Sequence, residues 1–244
     1  ILDDYTNFAS QLQFDEITAI PMSALKGDNI IERSSHTCWY KGPTFLGLLE
    51  TVNPRLTRIN QPLRLPIQWV NRPNLDFRGF SGTIESGTVE VDQSIQVLPS
   101  GAIAKIKDII LFEDHLEKAE AGQAITLTLD AEIDASRGDV IVASDTPCEV
   151  ADQFEINLVW MDQAPGYIGR SFWLKLGTTQ VNAHITDIKH KVNINTFEHL
   201  PATQLELNDL SVVTIKTDRP IAFERYQDCA PMGAFILIDR MSNQ

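Results

Sequence analysis

Basic residues are scarce in this sequence: 20 Lys and Arg stand against 33 Asp and Glu, a net charge of −13. Phosphate backbones are bound by clustered cations, so nucleic acid is not the expected partner. Cysteine is scarcer still. Cys38, Cys148 and Cys229 are odd in number, far apart and without C-x-x-C spacing. That fits reduced thiols in a cytoplasmic protein, not a disulfide or metal framework. His184 and His190 fall on one face of an extended segment, but no third ligand accompanies them, so no metal site is expected. No apolar run approaches the ~18 residues that cross a bilayer, so no membrane is expected either. A glycine-rich phosphate loop ending in Lys and Ser or Thr is missing, as is an N-K-x-D element. The nearest mimic, Gly82 to Thr88, has Thr88 where lysine is required, and its Ser86-Gly87 reads as a hairpin turn. G-x-S-x-G is missing, and Ser23, Ser86 and Ser211 lack an activating context, so no catalytic residue is expected. The start, Ile1-Leu2-Asp3-Asp4, has neither an initiator Met nor a basic leader and reads as the interior of a longer protein.

What is present is enough apolar material, 43% of 244 residues, for one or two real cores. Residues 1–60 read as α/β. Tyr5, Phe8, Ala9 and Leu12 recur at helical spacing, Ile17 to Ile20 is a short β-prone run, and a polar loop follows from Gly27 to Lys41. Thr44 is placed to cap a helix from Phe45 to Thr51. From Pro62 onward the hydrophobic period becomes two. Strands are expected at Leu65 to Val70, Thr83 to Glu85, Thr88 to Val91, Ser94 to Leu98, Ile103 to Ile110, Ala124 to Leu129 and Asp139 to Ala143. A second set covers Phe154 to Trp160, Ser171 to Leu176, Val181 to Val192, Ser211 to Thr217, Ile221 to Tyr226 and Ala234 to Asp239, with Gly177-Thr178-Thr179 as a hairpin. Short strands at this spacing suggest antiparallel barrels. The fold class is therefore mainly β: an α/β remnant (1–60), a first β-barrel (61–145), a connector at Ser144 to Pro147, and a second β-barrel (148–244).

Three stretches carry a family resemblance. Pro21-Met22-Ser23-Ala24-Leu25-Lys26-Gly27-Asp28-Asn29 resembles the last guanine-binding element of translation-factor GTPases. There, N–H groups just after a strand donate to the guanine O6 and a small Ala leaves room for the ring. Trp39-Tyr40-Lys41-Gly42-Pro43-Thr44 resembles the large, GTP-binding subunit of bacterial sulfate adenylyltransferase. Val70-Asn71-Arg72-Pro73-Asn74-Leu75-Asp76-Phe77-Arg78-Gly79 is similar to the start of the first barrel in that subunit, and Ile236-Leu237-Ile238-Asp239-Arg240 to its end. Elongation factors, which bind aminoacyl-tRNA, are the alternative, but they carry Arg where Ala234 stands here.

The resemblance implies a P-loop GTPase domain of which only the C-terminal remnant is present, followed by translation-factor domains II and III. The last strand of domain III would be missing. It implies GTP and Mg as cofactors of the intact subunit, neither held tightly by this chain. It implies a smaller catalytic subunit as partner, which makes adenosine 5′-phosphosulfate and pyrophosphate from ATP and sulfate. Ser23, Ala24 and Leu25 would contact the guanine base. Arg72, Asp76, Phe77 and Arg78, on a barrel-rim loop, are the candidate partner contacts; a loop-internal ion pair of the two arginines with Asp76 is the structural alternative. Phe8, Leu12, Ile17, Ile20, Leu48 and Leu49, shaped to pack on a sheet outside this sequence, are expected to be partly exposed.

Overall fold

The computed structural model describes residues 1–10, 12, 14, 16–52, 56–74 and 77–242. They form two compact units, 1–54 and 55–244. In the first, α1 (Leu2–Ala9) carries Asp3 and Asp4 in its opening turn, where carboxylates complement the helix dipole. Helix α2 (Phe45–Thr51) starts where Thr44 predicts, the Thr44 hydroxyl accepting the Gly47 N–H at 3.2 Å. Ile17 to Ile20, expected as a strand, have no strand structure: no segment among the described residues lies beside them to complete a ladder. Phe8, Leu12, Ile17 and Leu49 are exposed and Ile20 and Leu48 half-buried, as anticipated.

The second unit opens with a short helix, α3 (Leu56–Ile59), and is otherwise almost all strand. Its first ten strands are β1 (Arg64–Pro66), β2 (Trp69–Asn71), β3 (Gly79–Thr83), β4 (Thr88–Glu90), β5 (Ser94–Leu98), β6 (Ala102–Leu111), β7 (Asp114–Leu116), β8 (Lys118–Glu120), β9 (Ala124–Leu129) and β10 (Val140–Ala143), eight of them in one sheet. The order is β1-β10-β5-β6-β9-β3-β2; β7 pairs with β6, and β4 and β8 form a separate ribbon. The sheet curls so that β1 returns to the chain that follows β3. Arg64 of β1 exchanges backbone bonds with the chain beyond β3: Arg64 N–H to Ser86 O at 3.0 Å and Glu85 N–H to Arg64 O at 2.8 Å. The alternate inward residues fill the interior, Leu65, Ile67, Phe80, Ile95, Ile106 and Leu127 among them.

Ser86-Gly87 is not the hairpin turn its sequence suggests. Strand β3 pairs with β2 and β9 while β4 pairs with β8, so the two strands it separates belong to different ladders. Gly87 is there for another reason. Its φ is +77°, and a Cβ would lie 2.5 Å from the Leu63 backbone nitrogen. Both the dihedral and the close approach require glycine.

The second sheet contains β11 (Glu149–Val159), β12 (Ser171–Leu176), β13 (Thr179–Val192), β14 (His199–Leu200), β15 (Leu210–Phe223) and β16 (Phe235–Asp239), with α4 (Ala230–Gly233) before the last strand. Its order is β11-β15-β13-β12-β16, every pairing antiparallel, and β14 pairs with β13. The β12–β13 hairpin turns at Gly177-Thr178 as expected. The two strands expected at Ser211 to Thr217 and Ile221 to Tyr226 are one, β15. Its register on β11 jumps from Ile221 opposite Ala151 to Lys216 opposite Gln153. The intervening residues bulge instead of turning, held by the Thr217 hydroxyl, which bonds to the Asp152 and Arg219 carbonyls.

The two sheets share a small third core of Leu98, Val140, Val142, Cys148, Ala222, Cys229 and Met232. Arg64 bonds Glu224 there through Nε at 2.6 Å and NH2 at 2.5 Å, and donates from NH1 to the Leu63 and Thr146 carbonyls at 2.8 Å each. The Thr179 hydroxyl donates to Gly138 O at 2.5 Å. The connector at Ser144 to Pro147 is thereby pinned: Thr146 O receives Arg64, and Ser144 N–H donates to Ser94 O. All three cysteines are free thiols, Cys38 exposed and the other two buried.

Candidate functional site

The loop from Pro21 to Phe45 is built around Asn29. Its φ of +56° is left-handed, a conformation Asn tolerates because its short amide can bond to nearby backbone. The buried side chain does so three ways. Nδ2 donates to Pro21 O at 2.6 Å and Thr37 Oγ1 at 2.7 Å, while Oδ1 accepts Ser34 N–H at 2.8 Å. Its carbonyl accepts the Phe45 N–H at 2.9 Å, so one residue ties the loop's start, middle and exit into α2. Next to it, Asp28 accepts the Ser34 hydroxyl at 2.5 Å and lies 3.1 Å from His36 Nδ1. The Ser34 bond first, then His36, holds the Asp28 carboxyl below the usual carboxylate range. The sequence marked Asp28-Asn29 only as part of a polar loop. A polar residue with left-handed potential, followed by Ser-Ser and His, was the available signal.

Ser23, Ala24 and Leu25 sit at the crest of this loop. Ser23 N–H donates to Asp28 O at 3.2 Å, and the Ser23 hydroxyl accepts Lys26 N–H at 3.3 Å. The turn closes through Gly27 N–H to Ser23 O at 2.8 Å. Ala24 and Leu25 are exposed, and their N–H groups find no acceptor among the described residues. A planar acceptor edge could take such donors from solvent. Ser23 does not join them, its N–H being used inside the turn. No cluster of metal-ligating side chains occurs among the described residues.

The second candidate, Asn71 to Arg78, divides. Asp76 lies outside the described residues. Arg72 is exposed. Phe77 is half-buried, its ring lying against Gly79, where a Cβ would meet it at 2.8 Å. Arg78 is engaged at home: NH2 stands 3.8 Å from Asp134, donates to Ala135 O at 3.5 Å, and the guanidinium lies 5.4 Å from the Phe80 ring centre. The sequence reading did not weigh Asp134, 56 positions further along a different loop, because nothing local points to it. His184 and His190 do not come together; His190 stacks on His199 instead, ring centres 3.7 Å apart.

Residues 153–244 match the family model of GTP-eEF1A C-terminal domain-like sequences. The chain is 45% identical over 243 residues to the bifunctional enzyme CysN/CysC of Xylella fastidiosa, spanning 100% of this chain and 39% of that protein. It is 43% identical over 244 residues to sulfate adenylyltransferase subunit 1 of Laribacter hongkongensis, covering 100% of this chain and 51% of the relative. It therefore spans about half the length, or less, of these curated relatives. Among solved structures, Sup35 complexed with GDP superposes with a TM-score of 0.73 over 99% of this chain and 61% of that one, at 20% identity, which establishes likeness of fold.

Proposed function

We propose, starting from a chain homologous along its whole length to sulfate adenylyltransferase subunit 1, that it is the β-rich part of a GTP-binding subunit serving sulfate activation. The whole-length identity of 43–45% carries the reading, because it includes the loops as well as the strands. The intact subunit would bind GTP with Mg, hydrolyse it in the cytoplasm, and lend that free energy to a small catalytic subunit. That partner would join ATP and sulfate into adenosine 5′-phosphosulfate and pyrophosphate. The product is a mixed anhydride, a high-energy bond, so coupling to a second hydrolysis is chemically reasonable. Residues 1–60 would end the GTPase domain, and 61–145 and 148–244 would be the two following β domains.

In this reading the N–H groups of exposed Ala24 and Leu25 donate to the guanine O6, and Asn29 holds the loop in shape. The phosphate-binding motifs are not in this sequence. Since each tenfold in affinity is ~1.4 kcal/mol, the chain should bind GTP only at about millimolar level or weaker. Exposed Arg72 and half-buried Phe77 would face a partner, with Arg78 as their support. The elongation-factor alternative, with aminoacyl-tRNA as ligand, is less favoured by the names of the relatives and by the −13 charge. The test is a graft. Residues 1–242 of this chain replace the matching segment of the Laribacter hongkongensis subunit, and GTP-stimulated adenosine 5′-phosphosulfate formation is measured with that organism's catalytic subunit. Stimulation is expected. A folded, GTP-binding chimaera that gives none sinks the proposal.

A further inference from the structure

The outer face of the first sheet ends in a tryptophan that the fold does not use. Val70 of β2 packs against the core, which turns Trp69 outward, and Trp69 is 60% exposed. Strand β2 has a neighbour on one side only, so no further strand covers the ring. In register with Trp69 stand Ser81 of β3 and Thr126 of β9, whose hydroxyls lie 2.8 Å apart. Two positions from Ser81, ~7 Å along the strand, Gly79 carries the Phe77 ring. A Cβ on Gly79 would meet Thr126 Cγ2 at 2.6 Å and the Phe77 ring at 2.8 Å, so the ring lies on this same face. Trp69 and half-buried Phe77 therefore border a floor of small residues, Gly79, Ser81 and Thr126.

Two guanidiniums stand beside this floor. Arg72 follows β2 directly and is exposed. Exposed Arg137 donates to Gln68 O, one residue before Trp69, at 3.4 Å. Arg78 is engaged by Asp134, whereas Arg72 and Arg137 form no ion pair among the described residues. The chain as a whole carries a net charge of −13, so two unpaired arginines beside an exposed tryptophan make a local exception. Tryptophan and arginine are the residues that most often carry protein–protein binding energy.

Taking the catalytic subunit proposed above as the partner, we infer that this face docks an acidic segment of it bearing one apolar side chain. The apolar side chain seats between Trp69 and Phe77 on the small-residue floor. Carboxylates on either side of it meet Arg72 and Arg137, whose planar forks suit them. Trp69 is the anchor, and the arginines set charge preference and encounter rate.

The chimaera described above, with residues 1–242 in the Laribacter hongkongensis subunit, is titrated with that organism's catalytic subunit by calorimetry. Trp69→Ala should weaken binding by more than about tenfold, and Trp69→Phe should restore part of the loss. Arg137→Glu should also weaken binding, by a factor that shrinks as salt rises. Ile103→Ala, at an apolar residue 63% exposed elsewhere on the same sheet, should bind within about twofold of the unsubstituted chimaera. GTP affinity and Tm should stay unchanged in all four variants. An unsubstituted chimaera that does not bind the catalytic subunit overturns the partner reading and the docking face with it. Binding by that chimaera which Trp69→Ala leaves intact overturns the docking face alone. So does a Trp69→Ala variant that loses GTP affinity or Tm in step with binding, since Trp69 would then be covered by the subunit's own chain.

Discussion

Replacing Arg64 by Met tests what holds the two sheets together. Arg64 is 5% exposed, and its four hydrogen bonds reach Glu224 and the carbonyls of Leu63 and Thr146. Methionine keeps most of the apolar stem and removes every donor. The Glu224 carboxylate is then left at a joint where its side chain is 18% exposed. Removing one partner of a buried pair costs about 3–5 kcal/mol, mostly through the stranded charge. Residual hydration of Glu224 places the expectation at the lower end, near ~3 kcal/mol. With a urea m-value of ~1–3 kcal/mol/M, the midpoint should fall by about 1–3 M. The assay is urea unfolding followed by tryptophan fluorescence, with Trp69 in the first sheet and Trp160 and Trp173 reporting on the second. Adding Glu224→Met to Arg64→Met should return a large part of the loss, because no charge is then stranded. A coupling of at least about 1.5 kcal/mol is expected from the cycle. A single-variant loss below about 1 kcal/mol, or strict additivity, would refute the reasoning.

Hydrogen exchange should divide the chain into two tiers, fast from Phe8 to Leu25 and slow at Ile95 to Leu98 and Val212 to Ile215; equal protection would mean that residues 1–54 are self-sufficient. The slow segments lie in β5 and β15, each flanked on both sides by other strands. Alkylation by iodoacetamide at pH 8 should modify Cys38 first. Burial pushes the Cys148 thiol up to about 11 and also raises Cys229, so both stay protonated and shielded until the chain unfolds. Mass spectrometry finding Cys148 labelled as fast as Cys38 would contradict the buried joint. Arg78→Ala should cost at most about 1 kcal/mol of stability, its Asp134 partner being fully exposed. In the intact subunit it should still weaken GTP-stimulated adenylyl transfer, and unchanged stimulation would leave Arg78 a purely structural residue.

The strands were legible because half-buried sheets print a period of two, and β5, β9 and β12 fall where that pattern stands clearest. Three readings failed where local chemistry and tertiary pairing disagree. Asp218-Arg219-Pro220 has turn composition but is accommodated as a bulge within β15, because both flanking halves find the same neighbour, β11. Ser86-Gly87 looks like a hairpin, yet the strands it separates pair elsewhere. Ile17 to Ile20 have strand propensity with no described neighbour to pair with, and propensity alone makes no ladder. At the candidate site, the crest at Ser23 to Leu25 could be placed from sequence, whereas the Asn29 hub could not. Its side-chain bonds reach eight positions back to Pro21, eight forward to Thr37 and five forward to Ser34, a relation that only the folded loop creates. Arg78, read as a partner contact or else as half of a loop-internal pair with Asp76, stands near Asp134 in another loop.

The pinned connector at Ser144 to Pro147 bears on how such proteins can be recombined. Segments joining two domains usually tolerate insertions and serve as crossover points between relatives. Here Thr146 presents its carbonyl to Arg64, 82 positions earlier, and that arginine holds Glu224 on the far side. A crossover in this connector would pair an Arg64 from one parent with a Glu224 setting from another, and an insertion would lift Thr146 off its donor. The two sheets are therefore expected to exchange as a single cassette, with the workable seams before Leu63 rather than between them.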